Sequence, residues 1–194
     1  KKNKWITNFS SRNLAHLLRN KYDSILSTSK SINNDNSLLN CRINGLNNNK
    51  PDLFIVDMKL KLKKKLLLNS LLKKRKTYLI TKKINAKKSL VYKKLGYKII
   101  LIDQLNDKND FNLLCKKIYI MGYSRLLIES GLTFLNYLLK YKLINELYIF
   151  KSSHKLKKNG KNNSTVYHLK KINPKLLTIN LINDKLLKKN FNYV

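Results

Sequence analysis

Two arginines and a histidine recur at helical spacing near the start of the sequence. Arg12, His16 and Arg19 are separated by four and three residues, so a helix carries all three on one face. Three cationic or potentially cationic groups repel one another unless an anion lies among them. Arginine pairs with phosphate through two parallel hydrogen bonds, so we expect one of these arginines to bind a substrate phosphate. A solvated helix face is the alternative that spacing alone leaves open.

A second candidate site lies where an apolar strand passes into a helix. Leu126–Ile128 is followed by Glu129, by the small residues Ser130 and Gly131, and by a helical pattern. This order directs backbone N–H groups and the positive end of the helix dipole at an anion, as in nucleotide-phosphate sites. Because α/β sheets bind ligands at the carboxyl ends of their strands, Glu129 is a candidate for ligand contact. The signal is weak by itself, since G-x-G-x-x-G is absent.

Asp35 is a third candidate, because acidic residues are scarce in this chain. There are 10 of them among 194 residues, and Asp35 lies in the Asn- and Ser-rich segment Ser31–Arg42. Asn, Ser and Asp also favour turns, so an ordinary turn aspartate is the alternative.

The patterns around these residues alternate between strand and helix, which predicts an α/β sheet with helices on its faces. The predicted strands are Asp23–Thr28, Leu53–Val56, Tyr78–Ile80, Tyr97–Ile102, Arg125–Ile128, Glu146–Lys151 and Leu176–Ile182. The predicted helices run from Ser10 or Ser11 to about Asn20, over Ala86–Leu95 up to Gly96, over Asp110–Met121, and over Leu132–Tyr141. Asn44–Lys50 and Lys157–Ser164 are predicted loops. We expect Lys59–Lys76 to be a flexible insertion, with a short basic helix as the alternative.

The formal net charge of +32 would ordinarily indicate a polyanion partner. However, 37 of the 42 basic residues are Lys and only five are Arg, whereas nucleic-acid readers favour Arg. A lysine excess spread over the whole chain is typical of an A+T-rich coding background. We therefore expect no specific nucleic-acid partner, and we keep a basic RNA-binding protein as an alternative hypothesis.

Apolar runs, cysteines and histidines indicate which further classes of protein are not expected. No apolar run approaches the ~20 residues of a membrane span, and no apolar region follows the first lysines, so neither a membrane association nor a secretory signal is predicted. Cys41 and Cys115 share no C-x-x-C pattern, which favours two thiols in a reducing, cytoplasmic compartment over a disulfide. None of the three histidines has a Cys or His at ligand spacing, so we expect no metal.

Taken in order, these motifs resemble one known family, the reductase domain of the bacterial riboflavin-biosynthesis deaminase–reductase. The matching segments are Trp5-Ile6-Thr7, Arg12-x-x-x-His16-x-Leu18-Arg19, Asp23-Ser24-Ile25-Leu26, Asp35-Asn36-Ser37-x-Leu39-x-x-Arg42, Ile55-Val56-Asp57 and Leu127-Ile128-Glu129-Ser130-Gly131. Further matches are Leu138-Leu139-x-x-x-Leu143-Ile144-Asn145-Glu146-Leu147 and Asp184-Lys185-Leu186-Leu187. The resemblance covers essentially the whole chain.

The resemblance implies a dihydrofolate-reductase-like three-layer fold with a mixed, mainly parallel sheet. It also implies NADPH-dependent reduction of the ribosyl group of 5-amino-6-(5-phosphoribosylamino)uracil, a small phosphorylated pyrimidine, to a ribityl chain. The substrate would contact Asn3, Arg19, Leu39, Arg42 and Glu129. The cofactor would contact Trp5, Ser31, Asp35, Gly131, Leu132 and Thr133. A homodimer and a separate or upstream deaminase domain are compatible with the family.

Departures from the family pattern define a further hypothesis. Asn36-Ser37 stands where the family usually has Asp-Pro. Met58 stands where Ser or Thr is common, and Ser130 stands where the family usually has Gly. The family's opening strand does not precede Trp5, and no zinc-deaminase motif is found. We therefore expect residues 1–194 to form one reductase domain that lacks its first strand and its deaminase partner. An inactive or truncated homologue with the same fold is the alternative.

Overall fold

The computed structural model describes residues 6–46, 51–153, 169 and 171–192. The chain divides into two compact units, a central unit of His16–Gly131 and a terminal unit of Lys1–Ala15 with Leu132–Val194. Helix α1, Phe9–Lys21, contributes residues to both. None of the described helices combines the length and the apolar character needed to cross a membrane.

The central unit is built on a sheet of five parallel strands. Their order is β4-β3-β2-β1-β5, and every neighbouring pair is parallel. The strands are β1 Ser24–Thr28, β2 Asp52–Val56, β3 Thr77–Lys82, β4 Lys98–Ile102 and β5 Leu126–Ile128. All five correspond to predicted strands, with ends shifted by one or two residues. Strand β2 is buried throughout and β3 is buried in all but its last residue, as expected when helices cover both faces of a parallel sheet.

Helices connect these strands and supply the rest of the core. They are α2 Ser29–Asp35, α3 Ala86–Leu95, α4 Lys108–Ile120 and a short 3₁₀ helix, Lys83–Asn85. Helix α3 ends as predicted at Gly96, whose φ of 106° is easy only for glycine. The capping box that begins α4 joins the Asp107 and Asp110 side chains to each other's backbone N–H groups.

Helix α2 was not predicted, because its sequence is rich in turn-forming residues. Its first turn is capped by Thr28, whose hydroxyl accepts a hydrogen bond from the Ser31 N–H at 3.3 Å. It ends at Asn36, which adopts the left-handed conformation with φ 46°. Asp35 is therefore the last residue of a helix, and the predicted turn begins only after it.

The lysine-dense stretch Lys59–Lys76 is not a flexible insertion, so that prediction was wrong. A 3₁₀ helix, Leu67–Leu71, lies within it. Four of its seven leucines are buried in the core of the central unit; they are Leu62, Leu66, Leu68 and Leu71. Each lysine can stay in water while the intervening leucines are buried, so lysine density masks a core segment.

The terminal unit contains helix α5, Leu132–Lys140, and a separate antiparallel sheet. Its strands are β6 Glu146–Lys151, β7 Lys175–Leu181 and β8 Asp184–Asn190, in the order β6-β8-β7. Strand β8 was not predicted as a strand. Asp184 fixes this unit, because its carboxylate accepts hydrogen bonds from the Asn8 N–H at 2.9 Å and the Ser11 hydroxyl at 2.7 Å.

Candidate functional site

A bidentate ion pair lies at the carboxyl end of β5. Arg19, in the last turn of α1, donates from Nε to Glu129 Oε1 at 2.7 Å and from Nη2 to Oε2 at 2.8 Å. Glu129 follows β5 directly, and its N–H donates to Leu26 O of β1 at 3.0 Å. The pair is largely shielded, with side-chain exposures of 14% and 28%. Two of the five residues predicted to contact substrate thus hold each other in place.

Asn40 joins this pair to two more cationic or potentially cationic groups. Its carbonyl accepts a hydrogen bond from Arg19 Nη1 at 3.1 Å and from His16 Nδ1 at 3.0 Å. Its side-chain Oδ1 accepts from Arg42 Nη1 at 3.1 Å. Sequence reasoning missed Asn40, which no motif distinguishes from the other asparagines of the segment. The four residues His16, Arg19, Asn40 and Arg42, together with Glu129, are called the arginine cluster below.

The arginine cluster differs from the predicted helix face in one member. Arg12 belongs to the terminal unit, where it donates to Thr7 O at 2.5 Å and lies over the Phe9 ring. Arg42 joins His16 and Arg19 in its place. A helix face can be predicted from spacing, but the approach of Arg42 depends on how the chain returns after α2.

The electrostatics of the cluster favour an added anion. The pKa of His16 is lowered by burial and then by Arg19 and Arg42, so its Nδ1–H donates to Asn40 O in the neutral form. The pKa of Arg42 is lowered by burial and then by Arg19. Two guanidinium groups therefore lie near a single carboxylate, which pairs with Arg19, and a negatively charged ligand beside Arg42 relieves their repulsion.

A second contact lies next to the cluster, where β1 and β5 end. The Gly131 N–H donates to Ser31 Oγ at 3.0 Å, and Ser31 Oγ lies 3.1 Å from Thr28 Oγ1. A Cβ placed on Gly131 would make an ordinary contact with Ser31 Oγ, at 3.7 Å, and Gly131 is exposed. Ser31 and Gly131, both predicted cofactor contacts, are thus brought together, and Asp35 is exposed at the end of the same helix.

Leu39, which precedes Asn40 of the cluster in the sequence, has a strained backbone conformation. Its φ is 48°, which costs a non-glycine residue on the order of 1 kcal/mol or more. Its side chain is part of the hydrophobic core, so a contact with substrate would have to come from its backbone. The strain is maintained by buried Arg75, which donates to Leu39 O at 2.6 Å and to Pro51 O at 3.0 Å, and also to Leu38 O.

Arg75 was not predicted as a site-shaping residue. It lies in the lysine-dense segment, yet it is 6% exposed, and burial lowers its pKa to about 10. The signal in the sequence that could have identified Arg75 is that it is an arginine among lysines. A planar guanidinium can donate to three carbonyls at once, whereas a lysine ammonium cannot.

The other predicted site residues belong to the terminal unit or lie outside the described residues. Leu132 and Thr133 begin α5 in the terminal unit. Asn3 and Trp5 lie outside the described residues. Their predicted roles stay predictions.

The thiols have ordinary structural roles. Cys41 is a buried free thiol and Cys115 is a half-buried one, so the two form no disulfide. Burial raises the pKa of Cys115 to about 11, which makes it a poor nucleophile near neutral pH. Within the described ranges, no three His, Cys, Asp or Glu side chains form a group that could hold a metal ion.

Comparison with protein families identifies the chain. The profile of the RibD C-terminal domain matches residues 1–156. The chain belongs to the RibD C-terminal domain family. No curated protein matches its sequence.

Solved structures agree with this family in fold. RibD from Acinetobacter baumannii has a TM-score of 0.74 at 20% identity, covering 96% of this chain and 51% of the other. A deaminase/5-amino-6-(5-phosphoribosylamino)uracil reductase from Thermotoga maritima has a TM-score of 0.68 at 20% identity, covering 96% and 50%. The riboflavin biosynthesis reductase Rib7 of Saccharomyces cerevisiae has a TM-score of 0.69 at 21% identity, covering 94% and 81%.

These similarities confirm the predicted α/β, dihydrofolate-reductase-like fold with a mainly parallel sheet. The chain spans about half the length of the Acinetobacter and Thermotoga proteins.

Proposed function

We propose that the chain is a single reductase domain that catalyses NADPH-dependent reduction of the ribosyl group of 5-amino-6-(5-phosphoribosylamino)uracil to a ribityl chain. The observation that supports this most directly is the arginine cluster at the carboxyl end of the parallel sheet. It holds the Arg19–Glu129 pair and Arg42 on the two oxygens of Asn40, and two guanidinium groups near a single carboxylate suit a phosphorylated substrate. The family indicates the class of reaction, and we assign the binding of the substrate phosphate to the arginine cluster.

Arg42 is the residue we assign to the substrate phosphate. Its side chain is exposed and makes one hydrogen bond to Asn40, which leaves donors of its guanidinium for a ligand. Arg19 already donates three hydrogen bonds, two to the Glu129 carboxylate and one to the Asn40 carbonyl. We assign it to holding Glu129 and Asn40 in position, so that a substrate at the cluster meets fixed polar groups.

The donor set around Ser31 fits a dinucleotide. A hydroxyl and an open glycine lie at the ends of two parallel strands, where phosphate-bearing ligands bind in α/β sheets. NADPH supplies the hydride when bound, and the chain contributes orientation and electrostatics. Ser31, Asp35 and Gly131 of the central unit would hold it.

The test is consumption of NADPH by the purified chain in the presence of the phosphorylated pyrimidine. We expect Arg42→Lys to raise KM for this substrate about tenfold or more, because lysine cannot pair with phosphate through two bonds. Arg125→Lys is the control. Arg125 is 59% exposed and pairs with Asp23, at the opposite, amino end of β1 and β5.

Two results would contradict the proposal. The first is a wild-type chain that neither binds NADPH, measured calorimetrically, nor restores growth without riboflavin to a bacterium lacking its reductase. The second is an Arg42→Lys variant whose KM matches that of Arg125→Lys, which would remove Arg42 from the site.

A further inference from the structure

A cavity of about 240 Å³ lies at the amino ends of β3 and β4. The arginine cluster lies at the opposite edge of the same sheet, where the carboxyl ends of the strands are. Small-molecule sites in proteins have volumes of roughly 300–1,000 Å³, so this cavity has room for a small ion rather than for a nucleotide. The lining residues used below are Lys73, Lys74, Arg75, Lys76, Thr77 and Lys98.

Four lysines make this cavity cationic. Lys73, Lys74, Lys76 and Lys98 are exposed, and none of them belongs to an ion pair within the described ranges. Lys98 has an aromatic partner instead, because its Nζ lies 5.8 Å from the centre of the Tyr78 ring. Like charges around one concave surface raise the local concentration of anions.

Asp52 is the carboxylate that contacts this segment, and it does not line the cavity. It is 5% exposed. Its Oδ1 accepts a hydrogen bond from the Lys76 N–H at 2.9 Å, and its Oδ2 accepts one from the Tyr123 hydroxyl at 2.7 Å. Both oxygens are therefore bound within the protein, and Asp52 holds the backbone of the segment instead of pairing with its lysine ammonium groups.

Two buried polar atoms at the cavity lack a hydrogen-bond partner. Thr77 is 1% exposed and Arg75 is 6% exposed. Among the described residues, nothing pairs with Thr77 Oγ1 or with Arg75 Nε. An arginine Nε only donates, and a threonine hydroxyl has one proton to donate, so both atoms require an acceptor. A buried donor without an acceptor is destabilising, which favours a ligand that supplies acceptor oxygens.

The backbone around these donors is fixed. The Arg75 N–H donates to Leu71 O at 3.0 Å, and Lys76 O accepts from the Leu53 N–H at 3.0 Å. Lys98 begins β4, where it is in register with Tyr78 of β3. Charged and donor groups carried on a fixed backbone are already placed for a small ligand, so binding requires little ordering of the chain.

We infer that this cavity binds a compact tetrahedral oxyanion, with inorganic phosphate as its model. Lys73, Lys76 and Lys98 neutralise the charge of the ion, and Thr77 Oγ1 and Arg75 Nε donate hydrogen bonds to its oxygens. The small volume favours the free ion over a phosphate ester. This site lies apart from the arginine cluster, so the inference does not rest on the proposed function.

The test is proton–nitrogen correlation NMR of the whole chain, titrated with sodium phosphate while KCl keeps the ionic strength constant. A site-resolved measurement is needed, because a chain of net charge +32 attracts phosphate at many places. The Arg75 Nε–H and Thr77 N–H resonances report on the cavity. We expect both to shift along one saturating curve, with a Kd on the order of 1 mM, and KCl alone should not produce the shift.

Two variants with the same change in formal charge test the lysines. The cavity variant carries Lys73→Gln, Lys76→Gln and Lys98→Gln. The control variant carries Lys64→Gln, Lys65→Gln and Lys87→Gln, three exposed lysines that do not line the cavity. We expect phosphate to bind about tenfold or more weakly to the cavity variant, because charge-assisted contacts are lost. The control variant should bind less than about threefold more weakly, because salt screens distant charges.

A second pair of variants tests the hydroxyl of Thr77. Thr77→Val removes the hydroxyl with little change of shape, and Thr77→Ser keeps it. We expect Thr77→Val to weaken phosphate binding about tenfold, because a hydrogen bond to a charged group is lost, and Thr77→Ser to weaken it less than about threefold. Thr77→Val should remain folded in urea titrations at least as well as the wild type, because it removes an unpaired buried hydroxyl.

Several results would overturn the inference. They are an Arg75 Nε–H resonance that ignores phosphate or responds equally to KCl, a control variant weakened as much as the cavity variant, and a Thr77→Val variant that binds like the wild type. Tighter binding of ribose 5-phosphate than of the free ion would overturn the assignment to a free ion. Arg42→Lys should leave the Arg75 response unchanged, and a lost response would assign it to the arginine cluster. Failure of NADPH binding overturns only the proposed function.

Discussion

At the scale of single residues, the Arg19–Glu129 pair is the strongest polar contact of the candidate site. It combines two short hydrogen bonds with limited exposure. Partly buried pairs of this kind are strongly coupled, because removing one partner leaves a shielded charge without a counter-ion. Exposed pairs contribute little, because water screens them. The chain contains an example of each.

The coupling can be measured with a double-mutant cycle of Arg19→Met and Glu129→Gln, followed by urea unfolding. We expect an interaction free energy of about 1–2 kcal/mol, because the two charges protect each other in a shielded place. The control cycle is Lys83→Met with Asp103→Asn, whose side chains are 63% and 74% exposed. It should give less than about 0.5 kcal/mol. Equal values for the two cycles would contradict the model of a shielded pair.

At the scale of elements, the lysine-dense segment Lys59–Lys76 differs most from its sequence-based prediction, because it was expected to be a flexible insertion and is packed into the core. Adjacent leucines of its 3₁₀ helix have opposite environments, Leu68 at 0% exposure and Leu67 at 60%. The segment also carries Arg75, which supports the strained backbone of Leu39. A segment that looked like a solvated insertion is therefore part of the core and lies behind the site.

The two leucines provide a matched test of this packing. We expect Leu68→Ala to lower the free energy of unfolding by about 2–4 kcal/mol, because it removes buried methyl groups and leaves a cavity. Leu67→Ala should change it by less than about 0.5 kcal/mol. Urea denaturation of both variants measures the difference. Similar small effects from the two substitutions would mean that the segment does not pack as described.

At the scale of the whole molecule, the charge opposes folding. The 42 basic residues face only 10 acidic ones, and the four ion pairs in the described part of the chain use few of the lysines. Repulsion among the remaining lysines is greater in the folded state than in the expanded unfolded chain. Salt screens this repulsion over a Debye length of about 10 Å at 0.1 M.

We therefore expect added KCl to stabilise the protein. Between about 0.05 M and 0.3 M, the free energy of unfolding should rise by about 1 kcal/mol or more, because screened repulsion outweighs the weakening of the ion pairs. Thermal unfolding over a salt series measures it. A variant that carries Lys64→Gln, Lys65→Gln and Lys87→Gln removes three exposed lysines. Its free energy of unfolding should rise less steeply with salt. A stability that falls with salt would contradict this balance.

The sequence by itself determined the family and all the helices and strands except α2, β8 and the 3₁₀ helices, because apolar periodicity and short motifs are local properties of the chain. It also identified Arg19, Arg42 and Glu129, since arginines and acids stand out against a lysine background. It could not determine that Asn40 joins them, that Arg42 replaces Arg12, or that Lys59–Lys76 is buried in part. Those results depend on which segments meet after the sheet has formed. Only the tertiary structure brings Glu129 to Arg19, because the two residues lie 110 positions apart in the sequence and meet only once β1 and β5 have paired.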